Sequence, residues 1–321
     1  MSIYLSLIIV YKESFEVGNK YRNEYLFSLE KFIKREQSES EKKRSKIDEF
    51  ELKKTLGYPL FELPPAKIEF EPIFVYEDEL NKAYRLQIKI LDISFYGMLF
   101  EPVKKASDKM VISIHGGLGT PEMTAGIYET HNYNNMTKRY LEKGVTVFAP
   151  QMLLWNTENF GGDFNRQNID NLLKQLGGSI ASLELYYIIS MINYFSDNGN
   201  DVYLSGLSYG GFYALYASAV EPKVKGCLSS CFFNDRFVYN WSDFVWFNSG
   251  NKFTDLEVAA LISPRKLYIE LGRDDEVFKT DYALPYLKKL SALYGENFKY
   301  NIFRGGHEFC KDDDGINWLI D

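Results

Sequence analysis

Gly206-Leu207-Ser208-Tyr209-Gly210-Gly211 follows the apolar run Val202-Tyr203-Leu204 and opens a helical stretch. A Gly-x-Ser-x-Gly turn between strand and helix lifts the serine hydroxyl to the top of a sheet. Its glycines are needed because a Cβ there would strike the neighbouring strand and helix. Ser208 is therefore the candidate nucleophile; the plainer reading is a serine in a packed turn. A hydroxyl attacks only when a base takes its proton, and the chain offers three histidines. His115 ends the run Met110–Ile114, and His131 sits in the polar stretch Thr130–Asn135. His307 lies in Arg304-Gly305-Gly306-His307-Glu308, just past the last expected strand. A glycine pair there can bring the imidazole to the C-terminal edge of the sheet, where open α/β sheets bind ligands, so His307 is the expected base.

An imidazole base needs a carboxylate to fix its tautomer. The strand Leu267–Leu271 runs into Gly272-Arg273-Asp274-Asp275-Glu276-Val277, three consecutive acids among which the residues alone do not choose. A tetrahedral oxyanion needs preorganised N–H donors. One is the amide after the nucleophile, Tyr209, and the other belongs to the loop after the strand that bears His115.

Ile114-His115-Gly116-Gly117, the Ser208 turn, Gly272–Val277 and Gly305–Phe309 resemble the α/β-hydrolase superfamily in order and spacing. The resemblance covers roughly residues 66–321. It implies a Ser208, Asp275, His307 triad, because the family acid commonly stands three residues after a strand-closing glycine, here Gly272. Asp274 is the runner-up, and Val277 falls slightly early for the Gly-x-x-Asp-x-x-Val pattern. The interval 307 − 275 = 32 is of the family's usual size. Resemblance to the His-Gly-Gly element of esterases makes the Gly117 amide the second oxyanion donor, with Gly116 or Leu118 as alternatives. His115 then shapes the loop.

Within the superfamily the chain looks most like acetyl xylan esterases, cephalosporin-C deacetylases and dienelactone-hydrolase-like proteins. The likeness rests on the N-terminal arm ending in Gly57–Leu60, the hairpin before the His-Gly-Gly strand, and the helix Leu176–Phe195. Dienelactone hydrolases proper use a cysteine where this chain has Ser208. The resemblance implies hydrolysis of small acyl esters through an acyl-enzyme, with no cofactor and no metal. A peptidase, thioesterase or acyltransferase would use the same triad, although 65 leading residues cannot supply the propeller of a prolyl-oligopeptidase-like enzyme. A catalytically silent binding protein is the reading from another class.

These residues must be carried by alternating strands and helices. Period-two runs at Ile68/Phe70 and Leu86/Ile88/Ile90 predict antiparallel strands. Thereafter strands near 110–114, 145–149, 202–204, 224–228, 267–271 and 299–303 alternate with helices near 135–143, 180–196, 212–220 and 282–293. Such alternation predicts an α/β fold, a mostly parallel sheet with helices on both faces. Residues 1–65 form a helical extension, with Tyr21, Tyr25, Leu29, Phe32 and Ile33 on one face and a polar stretch at 37–46 after it. Residues 66–321 form one catalytic domain, and 232–255 make a cap rich in aromatics. Trp155 and Gly161–Asp163 are candidates for the wall opposite the cap.

The 321 residues carry 37 Lys+Arg against 44 Asp+Glu, a net charge of −7, which argues against a nucleic-acid binder, since neutralising phosphates needs a basic face. Hydrophobic residues at 45% suffice for a sizeable core. Three cysteines are too few for a disulfide framework and fit a reducing, cytoplasmic setting. Cys227 and Cys231 lack a second ligand pair, so core thiols are expected rather than zinc ligands. No run reaches the ~18 apolar residues of a membrane span. The run Ile3–Tyr11 lacks a basic region and a cleavage site before or after it. The expected partner is a small ester; the N-terminal arm is read as a helix packed on the main domain with a solvated face, an oligomerisation or capping arm being the alternative.

Overall fold

A computed structural model describes residues 2–44, 46–127, 129–154, 164–239 and 241–321. The chain divides into two units, Met1–Ser45 with Gly250–Lys252, and Lys46–Ser249 with Phe253–Asp321. In the smaller unit the chain forms one helix, α1 (Ser2–Lys43). The polar stretch expected after the helix is instead its last turns. Glu, Gln, Lys and Arg are strong helix formers, and Lys42 and Lys43 sit where the helix dipole favours cations. Tyr21, Tyr25, Phe32 and Ile33 are exposed on it.

In the larger unit, the described residues build a nine-stranded sheet in the order β1-β2-β3-β5-β4-β6-β7-β8-β9. The strands are β1 (Ile73–Glu77), β2 (Asn81–Ile90), β3 (Ile93–Pro102), β4 (Lys109–Ile114), β5 (Thr146–Pro150), β6 (Asp201–Leu207), β7 (Gly226–Ser230), β8 (Lys266–Gly272) and β9 (Phe298–Phe303). The first three are antiparallel, and β3 joins β5 antiparallel. From β5 to β9 every ladder is parallel. The expected mostly parallel sheet with an antiparallel start is present.

The strand expected at Ile68/Phe70 is not. Pro64, Pro65 and Pro72 cannot donate to a ladder. The segment instead crosses a helix, with Ala66 N–H donating to Ser190 Oγ at 2.9 Å and Phe70 packed on Tyr194.

Helices cover both faces. α2 (Glu49–Leu56), α6 (Ile180–Asp197), α7 (Tyr209–Val220), α8 (Asp255–Ala260) and α9 (Thr280–Tyr294) bury apolar residues against one face. α4 (Met136–Glu142) and α10 (Asp314–Ile320) cover the other. α3 (Pro121–Thr124) and α5 (Arg166–Gln175) lie in the connections after β4 and β5. Strand side chains alternate accordingly: Met110, Ile112 and Ile114 enter one core and Val111 the other. Each such buried aliphatic side chain contributes roughly 1.5–3 kcal/mol.

α5, α8 and α10 escape the sequence periodicity because they are short or polar, and propensity alone is weak there. The order of β4 between β5 and β6 reverses the winding direction, so a crevice opens at the C-terminal ends of β4 and β6. No described helix is long and apolar enough to cross a membrane.

Candidate active site

β6 ends at Leu207, and the chain turns into α7 within one residue. Ser208 makes the turn at φ 59°, ψ −121°, a backbone conformation that costs a non-glycine residue about 1–3 kcal/mol. It is held there by its N–H donating to Ser230 O at 2.8 Å and by its own carbonyl accepting from Phe212 N–H at 3.0 Å. The glycines leave no room for a side chain. A Cβ on Gly206 would collide with the Gly210 backbone, and one on Gly210 with the Ile114 carbonyl. A Cβ on Gly116 would stand 2.8 Å from Leu207 O and 3.0 Å from Ser208 Cβ. The loop after β4 therefore lies directly against the serine, at backbone distance.

His115 governs that loop. Its Nδ1–H donates to Gly116 O at 2.7 Å, since a carbonyl can only accept, and its Nε2 accepts from Met152 N–H at 2.9 Å. Burial pushes its pKa down to about 4, so the ring stays neutral and its two nitrogens are fully used. Tyr133 adds a hydroxyl donating to Gly117 O at 3.1 Å. Tyr209, as the first residue of α7, carries one of the amides for which a helix has no internal carbonyl.

Asp275 and His307 come together from the ends of β8 and β9. Asp275 Oδ2 meets His307 Nδ1 at 2.8 Å. Its other oxygen accepts from the amides of Val277 (2.8 Å) and Phe278 (2.9 Å), which fixes the carboxylate in place. Asp275 is buried, whereas Asp274 is exposed and joins the site only through its amide, bonded to Gly305 O at 2.9 Å. Because the carboxylate accepts, Nδ1 bears the proton and Nε2 keeps its lone pair, the tautomer a base requires. A Cβ on Gly272 would collide with Gly306 O, so the β8 end and the histidine loop also meet backbone to backbone.

Two asparagines absent from the sequence reading hold this loop. Asn132 Nδ2–H donates to His307 O at 3.0 Å, and Asn132 O accepts from Phe309 N–H at 2.8 Å. Asn134 Nδ2–H donates to Phe309 O at 2.7 Å and to Glu308 Oε2 at 2.9 Å. They sit in the stretch singled out for His131, whose own side chain is mostly exposed. The asparagine-rich run was the available signal.

Ser208, Gly116, Asp275 and His307 thus stand at the C-terminal ends of parallel strands, on one edge of the sheet. Rings link the two halves: Tyr209 stacks on Trp241 (6.0 Å between centroids), Trp241 meets Phe278 (5.7 Å), and Phe278 stacks on His307 (5.8 Å).

Solved structures carry the same architecture. A glucuronoyl esterase from Solibacter usitatus superposes with a TM-score of 0.61 at 14% identity, covering 85% of this chain and 90% of that one. Acetyl xylan esterase 1 from Thermoanaerobacterium sp. gives 0.60 at 14% identity, covering 84% and 90%. A cold-adapted esterase from an Arctic intertidal metagenomic library gives 0.54 at 15%, covering 77% and 94%. The chain has the α/β-hydrolase fold. No family model and no curated protein sequence matches it.

In this hydrolase fold the segment after β7 lies beside the site. Phe232, Phe244, Trp246 and Phe253 are buried and pack on Phe212 and Tyr216 of α7. Trp241 instead faces a cavity of about 370 Å³, shared with Asn165, Arg166, Gln167, Tyr209 and Asp243. Arg166 was not foreseen. Its buried guanidinium donates to Asp243 (2.7 Å), Glu184 (2.9 Å) and the Tyr213 hydroxyl (2.7 Å), and Tyr209 OH donates to the same Asp243. Trp155 and Gly161–Asp163, expected on the opposite wall, lie outside the described residues.

Proposed function

We propose that the protein is a serine hydrolase that cleaves carboxylic esters, with Ser208, His307 and Asp275 as its triad. His307 Nε2 takes the Ser208 proton as Oγ attacks the ester carbonyl, and the amides of Tyr209 and Gly117 hold the oxyanion. The imidazolium then protonates the departing alcohol, and water releases the acyl group by the same route. The observation that carries this reading is the Asp275–His307 hydrogen bond, with the carboxylate itself fixed by two amides, on the sheet edge where Ser208 is forced into its turn.

That similar folds bear the names acetyl xylan esterase and glucuronoyl esterase favours esters over amides. Small, acetyl-like acyl groups are our proposal for the substrate. The three cysteines, all unpaired and buried, favour a cytoplasmic setting.

The test is the intact mass after fluorophosphonate treatment, with peptide mapping. A single adduct on Ser208, lost in His307→Ala, is the expected result. A folded protein that takes up no adduct overturns the assignment in favour of a non-catalytic binding protein.

A further inference from the structure

Cys231, the residue after β7, reaches the same edge of the sheet. Its backbone takes φ 49°, and its amide donates to Glu270 O at 2.8 Å. Its sulfur lies against the acid–histidine pair. Cys231 Sγ, an Asp275 carboxylate oxygen and a His307 ring nitrogen all lie within 4.8 Å of one another. The thiol donates to Glu308 O at 3.2 Å, and both Cys231 and the Asp275 side chain are buried.

The sequence reading set zinc aside because Cys227 and Cys231 had no second ligand pair. The fold supplies the missing ligands from two other loops. Each of the three loops is pinned by its own backbone bonds, Cys231 to Glu270, Asp275 to Gly272 and Phe309 to Asn132, so the cluster is preorganised.

Sulfur, imidazole nitrogen and carboxylate oxygen are the donors Zn²⁺ takes, at about 2.0–2.3 Å. Shifts on the order of 1 Å would bring the three atoms onto one ion at those lengths. Charge favours it too. A dication against one carboxylate and one thiolate makes a neutral set, which the buried site tolerates far better than an isolated charge.

We propose that Cys231, Asp275 and His307 form a binding site for soft divalent cations, Zn²⁺ being the physiological type, and that occupancy switches hydrolysis off. On binding, Cys231 releases its thiol proton to solvent and the His307 proton passes from Nδ1 to Nε2, with no change of oxidation state. The ion then takes the sulfur, the carboxylate and Nδ1. A ring with its proton on Nε2 cannot accept the proton of Ser208. Thiolate and imidazole select against Mg²⁺ and Ca²⁺, which require oxygen ligands. The inhibitory half of the proposal rests on the catalytic reading above; the binding half does not.

The test adds Co²⁺ to chelator-treated protein and follows the near-ultraviolet thiolate-to-cobalt charge-transfer band, with ester hydrolysis measured in parallel. The band is expected in the wild type and in the Cys227→Ala/Cys310→Ala double variant, is bleached by Zn²⁺, and is absent in Cys231→Ala. Zn²⁺ is expected to inhibit hydrolysis reversibly with a chelator. Cys231→Ala should need at least tenfold more Zn²⁺ for half-inhibition of its own metal-free rate. A band that survives Cys231→Ala, or none in the wild type, overturns the site. If Cys231→Ala does not fold, the double variant decides: no band there overturns it equally. A cobalt band in a protein that hydrolyses no ester would keep the site and sink the catalytic reading. Hydrolysis indifferent to Zn²⁺, with no band, would do the reverse.

Discussion

The two halves of the candidate site are held in different ways. At the serine end, backbone meets backbone: Gly206, Gly210 and Gly116 allow strand, helix and loop to approach closer than any side chain permits. At the histidine end one such close approach recurs, Gly272 against Gly306 O, and side chains from distant segments add the rest of the holding: Asp275 on the ring, Asn132 and Asn134 on the loop backbone. Steric exclusion leaves a local mark in sequence, a glycine. A hydrogen bond between residues 175 apart, as from Asn132 to His307, leaves none. The serine end therefore rests chiefly on close packing and the histidine loop on a hydrogen-bond network added to one close contact, and the two should fail differently.

The broadest test asks whether the two halves act as one unit. Ser208→Ala and His307→Ala should each lower kcat/KM on an activated ester by roughly 10⁴–10⁶, and the double variant by little more. Losses that add would separate the halves. Next, Asp275→Asn should cost about 10⁴ in kcat by presenting the wrong tautomer, while Asp274→Asn stays within about twofold. A larger loss in Asp274→Asn than in Asp275→Asn would put the acid one residue earlier.

The glycines sharpen the contrast through stability. Gly210→Ala should destabilise the fold by more than about 4 kcal/mol in urea melts, because the methyl meets the Ile114 carbonyl. Gly306→Ala should cost about 1 kcal/mol or less, since the nearest atom to its Cβ, Asp274 O, is 3.8 Å away. A tolerated Gly210→Ala would mean that the serine end is not set by close packing.

Behind the histidine loop, Glu270 is buried, and burial raises its pKa from 4.5 to about 7. The native state thus keeps a proton that the unfolded chain gives up near pH 4.5. The stability this contributes is complete below that pH and is lost as pH rises through about 7. Glu270→Gln should match the wild type at pH 4 relative to its own baseline and gain up to about 3 kcal/mol by pH 8, read from melts across that range. A difference that does not vary with pH would show that Glu270 is ionised in the fold. Asn132→Ala should lower kcat about tenfold with KM unchanged, because one hydrogen bond of about 1–1.5 kcal/mol holds the His307 carbonyl and so positions the residue. A change in KM alone would make Asn132 part of substrate binding instead.

Much of the architecture could be read directly, because the strands after residue 100 are apolar runs bounded by glycine and polar turns. Thus Met110–Ile114 and Leu267–Leu271 fall within a residue or two of β4 and β8. The misreadings share a cause. Ile68 and Phe70 alternate like a strand yet lie across α6, since three prolines deny them a ladder and the helix offers Ser190 as acceptor. Residues 37–43 look like a polar linker yet complete α1, because charged residues stabilise a helix without burying it.

By itself, the sequence determined the alternation of the parallel strands with their longer helices, the turn at Ser208 and the loop after His115. Each of these is dictated by residues adjacent in the chain, through periodicity or through the space only glycine leaves. Tertiary structure placed Asp275, the acid the resemblance implied, on His307, and it alone decided that Asn132 and Asn134 secure the histidine loop. It also decided that Arg166 walls a cavity beside Tyr209 and that Cys231 lies against the acid–histidine pair. Those choices depend on directional contacts a few ångströms long between segments far apart in sequence, and only the folded sheet brings such segments to one edge.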